Sequence, residues 1–483
     1  MQKKSWEEIK SQTTNSVIFL SLRNFGLQGI SLIGFFLLTL LLGPSEVGLF
    51  AIVAETIAIL SYFSDVGLAS ALIQQKDEVK KEDLQTTFII QQILVLTSLA
   101  MVAIFYPQIA KAKSYGSKES WILISLCYSF FVASLKTIPS VLLERKLDFK
   151  IISTIDIFEN LTFYIFAVMF AFLGFGAYSY AIAVFIRSTL GLLLIYKWQP
   201  WSIGFSFSRA SAKKLFKFGI PFQLNSFIAM AKDRLSNILV AGIVGRNGFG
   251  YLSWGQKAPR LPLGFMDAIM RVTFPTFSRI QDKKDLLSRS VSRSIFFIAF
   301  FSFPLLAGIV SVAADLTAII PKYEKWVPAL IPLYFYAANA AIALITTPLT
   351  NAFNATGKIL TTTKFMLMWT ALTWILFPLL SIKYGYIGTS IATLLVGLSS
   401  FIVWYVAQNE FKINIIKQIF HPLVSSIIII LICFQIKGYL QIPIHYQLVI
   451  KIFASLIFYS IYQWIFSKDQ ILWFIGQMKK PKK

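Results

Sequence analysis

Nine lysines and arginines stand inside stretches that are otherwise apolar enough to cross a membrane: Arg23, Lys136, Arg187, Lys232, Arg234, Lys257, Arg260, Arg271 and Lys451. On insertion scales a cation at the bilayer centre costs about 2.5 to 3.5 kcal/mol. Nine facing lipid would cost about 25 kcal/mol, more than the stability of a whole fold. Most must therefore face water, a partner charge or an anionic ligand.

The densest group lies near residues 249–273. At about 100° per residue, Lys257, Arg260, Gly264, Asp267 and Arg271 fall within an arc of about 80°, so one helix face is cationic. Asp267 can pair with Arg260 or Arg271, which leaves surplus positive charge; the alternative is a set of buried ion pairs tying helices together. The preceding stretch, 215–244, adds Lys232, Asp233 and Arg234 in succession, with Gln223, Asn225 and Asn237. Consecutive charges cannot share a helix face, so one of Lys232 and Arg234 addresses a cavity while the other pairs with Asp233 or snorkels.

Carboxylates inside apolar stretches can bind a proton or a sodium ion. Glu55 and Asp65 sit in one such stretch, and Asp156 and Glu159, one turn apart on one face and followed by Asn160, sit in another. These four are candidates for a coupling-ion site, with simple pairing to Arg23 or Arg187 as the alternative.

The elements that must position these groups follow from composition. The chain of 483 residues is 56% hydrophobic and only 14% charged, with a mean hydropathy of +0.68, which lies outside the range of soluble domains. An all-α integral membrane protein is expected. About fourteen spans of about 20 residues can be placed, the first starting near Val17. That first span lacks a short core followed by a cleavage site, so it reads as retained rather than as a signal peptide.

Residues 1–16 read as an interfacial helix, 17–197 as a first set of six spans, 198–214 as a cytoplasmic linker, 215–407 as a second set of six, and 408–483 as two further spans with a basic tail. Placing the N-terminus in the cytoplasm puts most of the 45 lysines and arginines on that side, as the positive-inside rule demands. Both termini are then cytoplasmic. The connections on the other side are short, which leaves little room for an extracytoplasmic catalytic domain.

An internal repeat links the two sets of six. At an offset of 202 residues Phe25, Leu37, Gly43, Gly48, Phe63 and Asp65 meet Phe227, Leu239, Gly245, Gly250, Phe265 and Asp267. Later in each set the offset is 211, with Gly174, Ser179 and Ala181 meeting Gly385, Ser390 and Ala392. Six spans per repeat is an even number, so both halves enter from the same face and are related by a pseudo-two-fold axis along the membrane normal. Glu55 occupies the repeat position of Lys257, so equivalent walls present opposite charge and the second half is better suited to an anion.

Other chemistries find no support. The net charge of +23 is scattered between spans instead of forming the stripe that nucleic acid requires, so no nucleic-acid partner is expected. Cys127 and Cys433 have no paired spacing, and His421 and His445 stand alone, so neither a disulfide framework nor a metal site is implied. No phosphate-binding loop, His-Glu-x-x-His motif or carboxylate cluster on a large aqueous loop occurs. Neither an enzyme nor a cofactor is expected.

The runs Leu42-Gly43-Pro44-Ser45-Glu46-Val47-Gly48-Leu49-Phe50, Phe63-Ser64-Asp65-Val66-Gly67-Leu68 and Leu143-Glu144-Arg145-Lys146-Leu147-Asp148-Phe149 resemble those of Wzx-type polysaccharide flippases. These belong to the multidrug/oligosaccharidyl-lipid/polysaccharide exporter superfamily. The resemblance spans essentially the whole chain. It implies two six-helix lobes around a central cavity, two extra C-terminal helices, and alternating access in a bacterial or archaeal plasma membrane.

The cargo so implied is a polyprenyl-pyrophosphate-linked oligosaccharide, with membrane lipid, a polysaccharide polymerase and glycosyltransferases as partners. Arginine's planar fork suits phosphate oxygens, so Arg260 and Arg271 with Lys257 and Lys232 are the candidates for the pyrophosphate, joined by Arg234 and Arg23. Multidrug exporters of the superfamily take cations or amphiphiles, which a cationic site opposes. A peptidoglycan-precursor flippase shares the pyrophosphate and stays open as an alternative. A polymerase or ligase is the alternative from another class, disfavoured by the short external loops.

Overall fold

The computed structural model describes residues 26–65, 67–75, 78–113, 116–439 and 442–479. The expected interfacial segment 1–16 and Arg23 lie outside them. Among the described residues all regular structure is helical, and ten helices are long and apolar enough to cross a membrane. The protein is an all-α, multi-pass membrane protein.

The described residues up to Gly250 pack as one compact unit and those from Tyr251 onward as a second. The first unit contains α1 (Gly26–Leu41), α2 (Pro44–Asp65), the short α3 (Leu68–Gln74), α4 (Lys81–Lys113), α5 (Ser117–Arg145), α6 (Phe149–Phe172), α7 (Tyr178–Trp198) and α8 (Arg209–Met230). A π-helical turn, Ala231–Leu235, then leads into α9 (Ser236–Lys257), within which the division falls. Leu68, Leu72, Phe88, Ile138, Val141 and Leu215 form one buried core of this unit.

The connections are built by local chemistry. In the run Leu143–Phe149, Leu147 takes a φ of 59°, and the Asp148 carboxylate accepts the Ile151 amide at 3.4 Å to cap α6. Arg145 Nη1 donates to the carbonyl oxygens of Leu72 at 2.6 Å and Gln75 at 2.8 Å, satisfying orphan acceptors at the C-terminal end of α3. At the other end of α3 the Asp65 carboxylate accepts the Ala69 amide at 3.1 Å, beside Gly67 with φ of 74°.

The second unit continues through a 3₁₀ turn (Ala258–Arg260) into α10 (Leu263–Arg279) and α11 (Lys284–Ile319). A second 3₁₀ turn (Glu324–Ala329), α12 (Leu330–Ala355), α13 (Ile359–Leu398), α14 (Ser400–Phe411), α15 (Ile415–Tyr439), α16 (Ile444–Phe466) and α17 (Lys468–Lys479) follow. α13 doubles back at Gly385, whose φ is 59°: Ser381 and Thr389 share a hydrogen bond at 2.7 Å, and Gly388 abuts the Leu380 carbonyl. Residues eight apart on a straight helix would be separated by about 12 Å. The core runs through Phe277, Ile295, Leu344, Leu349 and Phe353.

The repeat is visible in matching backbone geometry. Gly174 and Gly385 both take positive φ, 86° and 59°. Close behind them Ser179 donates to the Gly176 carbonyl at 2.6 Å, and Ser390 to the Ile387 carbonyl at 2.7 Å, at the same offset. Gly48 and Gly250, equivalent by the other offset, touch: a methyl on Gly48 would collide with the Arg246 carbonyl oxygen, and one on Gly250 with the Pro44 carbonyl oxygen.

Pro44 and Arg246 are themselves repeat partners, so the contact is self-complementary, and only residues without a side chain allow it. Gly48→Ala or Gly250→Ala should cost about 2 to 3 kcal/mol by overpacking against backbone, read as a lowered melting temperature in detergent. Gly242→Ala is the control, because nothing lies within 4 Å of its missing Cβ.

One expectation is corrected here. The stretches 215–244 and 249–273 are not two regular α-helices, because the π-helical turn interrupts the first and the 3₁₀ turn after Lys257 the second, while Gly245, with φ of 68°, lies in the connection between them. Pro259 and Pro262 cannot donate to the helical ladder. The residues of the expected arc therefore lie on three successive elements: Lys257 ends α9, Arg260 ends the 3₁₀ turn, and Asp267 and Arg271 lie on α10.

Candidate functional site

Several of the nine cations are already matched. Lys136 Nζ lies 2.6 Å from Glu159 Oε1, linking α5 to α6, and Gly191 on α7 makes the room, since a methyl there would overlap the Glu159 carboxylate. The Arg187 guanidinium stacks 5.0 Å from the centre of the Phe163 ring, with Glu159 as an electrostatic neighbour. Asp156, half-buried, sits one turn before Glu159, and Asn160 accepts the Ser31 hydroxyl at 3.4 Å.

The three consecutive charges fall on the π-helical turn. Lys232 pairs with Asp233 at 3.2 Å, and Arg234 Nη1 reaches Glu55 Oε2 at 2.8 Å. The other Glu55 oxygen accepts from Asn237 Nδ2 at 3.2 Å. Glu55, foreseen as a coupling-ion candidate, is thus held by a cation and an amide, and Asp65 serves as the cap of α3. Lys451 pairs with Asp315 inside the second unit, both side chains at most 2% exposed.

Lys257, Arg260 and Arg271 lie close together in the sequence. Lys257 ends α9 half-buried, and Arg260 ends the 3₁₀ turn exposed. They are close enough to repel one another. Arg260 approaches the buried Tyr336 hydroxyl and forms no ion pair among the described residues. On α10, Asp267 and Arg271 are both exposed and attract each other. From Lys257 to Arg271 there are three cations and one carboxylate, an arrangement able to take up an anion with more than one charge.

Residues 37–330 match the family described as polysaccharide biosynthesis protein. The chain belongs to that family. It is 25% identical over 302 residues to the teichuronic acid biosynthesis protein TuaB of Bacillus subtilis, covering 61% of each chain. To the lipopolysaccharide biosynthesis protein WzxC of Escherichia coli it is 24% identical over 302 residues, covering 62% of this chain and 61% of the other. The matched region thus spans about three-fifths of these relatives' length.

Among solved structures the chain is similar to the lipid II flippase MurJ in an inward closed conformation, with a TM-score of 0.75, 18% identity and coverage of 94% of this chain and 98% of the other. That likeness is one of fold.

Sequence reasoning did not single out Asp315, Glu119 or Gly191. Asp315 stands next to the end of an apolar run, where it reads as a loop residue. Glu119 pairs with Arg246 and accepts the Gly116 amide at 2.8 Å, and the spacing Gly116-x-x-Glu119 at the start of a helix is a legible cap signal. For Gly191 no signal existed, since its role is defined by the Glu159 carboxylate on another helix.

Proposed function

We propose that this protein moves a polyprenyl-pyrophosphate-linked oligosaccharide from the cytoplasmic to the outer leaflet by alternating access, with the pyrophosphate received first by Lys257 and Arg260. The observation that carries this reading is the pair itself: two neighbouring cations where α9 gives way to a 3₁₀ turn, within a stretch that holds three cations and one carboxylate. The names of the family relatives support the substrate class. Arg271 extends the cationic stretch on α10.

The physical problem is the headgroup. A pyrophosphate carries about two charges, and bare charges cannot cross hydrocarbon without a penalty of tens of kcal/mol in the dry limit. Arg260 supplies a planar fork for two phosphate oxygens and Lys257 a point charge with three donors, so the ligand's charge is balanced by protein while it crosses. The sugars travel in water and the polyprenyl tail stays in lipid.

The test is reconstitution. Purified protein in vesicles carrying an undecaprenyl-diphosphate-linked oligosaccharide on one leaflet should make that sugar accessible to a membrane-impermeant lectin on the other, far faster than protein-free vesicles. Equal rates in the two would refute the reading. Movement of peptidoglycan precursor alone would favour the related flippase, and glycan polymer in the products would favour an enzyme.

A further inference from the structure

We propose that Glu55 is an internal competitor for Arg234, setting a charge threshold so that Arg234 is surrendered to a diphosphate but not to the single phosphate of bulk phospholipid. The proposal rests on the reading above that the cargo carries a diphosphate, and it assigns Glu55 a role in selectivity.

The geometry is that of an exchangeable contact. Arg234 Nη1 gives one hydrogen bond to Glu55 Oε2 at 2.8 Å, and the arginine side chain is 48% exposed while that of Glu55 is only 16% exposed. A guanidinium has five N–H donors in a planar fork, so the exposed remainder can engage phosphate oxygens before the carboxylate is released. Asn237 Nδ2, 3.2 Å from the other Glu55 oxygen, keeps the carboxylate in place when Arg234 leaves. Lys232 and Asp233 neutralise each other next door. Arg234 is the charged group that the structure pairs with Glu55.

The pair is not needed to hold the helices together. Towards one end of α2 the Gly48 and Gly250 backbones are in contact. Towards the other, Tyr62 donates its hydroxyl to the Gln223 carbonyl, and Gln223 Nε2 donates to the Tyr62 carbonyl at 2.6 Å. The pair also falls outside the repeat, since the positions equivalent to Glu55 and Arg234 are Lys257 and Leu32. Its arginine sits on a π-helical turn, an insertion frequent at functional sites. A contact dispensable to packing, off the symmetric frame and on such a turn, fits a selective role.

The charge logic follows. A monoanionic phospholipid headgroup is no better a partner for a guanidinium than a carboxylate already in place. A diphosphate, with about twice the charge and a bidentate face, is better. Because single-phosphate lipids vastly outnumber any diphosphate carrier, a built-in anion of unit charge keeps Arg234 unavailable to them.

The experiment measures binding of two probes to purified full-length protein in detergent: undecaprenyl diphosphate and phosphatidylglycerol, whose phosphodiester carries a single charge. Glu55→Gln, isosteric and uncharged, should tighten binding of phosphatidylglycerol by about tenfold, lowering the diphosphate preference by a similar factor. In an Arg234→Gln background the same change should have no effect, because Glu55 acts through Arg234. An unchanged preference in Glu55→Gln, or an equal gain without Arg234, overturns the proposal. A wild-type protein that does not distinguish undecaprenyl diphosphate from phosphatidylglycerol overturns instead the reading on which it rests. Melting temperature, recorded for each variant, separates lost folding from altered binding.

Discussion

Replacing Lys257 and Arg260 together by glutamine should slow transport of a diphosphate-linked oligosaccharide by about 100-fold or more, since each hydrogen bond to a charged group is worth about 1.5 to 3 kcal/mol. Arg260→Gln alone should cost about tenfold. Arg260→Lys should fall between, because it keeps the charge and loses the fork. Arg260 is exposed and Lys257 half-buried, and neutralising both removes their mutual repulsion; the melting temperature, recorded for each variant, separates lost folding from lost transport. The measurement is the initial rate in vesicles, normalised to folded protein. A rate unchanged in the double variant would move the diphosphate site elsewhere.

Much of the frame was legible because symmetry and turn chemistry are written locally. Gly48 and Gly250 could be paired by offset alone, and Gly174 and Gly385 by offset and the aromatic that follows each. Pairwise electrostatics was less legible. Glu159 stands near Arg187, as the sequence offered, but its ion pair is with Lys136 on another helix, because which faces meet is decided by packing and not by spacing along the chain.

The change of element between Lys257 and Arg271 has a cause that the sequence did contain. Pro259 and Pro262 cannot donate to the helical ladder, and α9 gives way to a 3₁₀ turn there. The π-helical turn at Ala231–Leu235 left no such trace. An inserted residue in a helix alters register without any residue type that announces it, and so the choice between Lys232 and Arg234 needed three dimensions. Arg234 is aimed at Glu55 and Lys232 at its own neighbour, Asp233.

Lys451→Met should destabilise the protein by about 3 to 5 kcal/mol, because it leaves the Asp315 carboxylate buried without its cation. Both side chains are at most 2% exposed, so water cannot screen the loss. Asp315→Leu should destabilise in the same range for the converse reason. The double variant Lys451→Met with Asp315→Leu should recover most of that loss, since two buried charges of opposite sign can be exchanged for apolar groups at little cost. Melting in detergent, followed by intrinsic fluorescence, reads all three. If the pair serves only to bind α16 to α11, transport per folded molecule in the double variant should match the wild type. Wild-type stability with lost transport would instead show that the charges themselves take part in the cycle, and the pair would then join Lys257 and Arg260 among the groups that handle charge during the crossing.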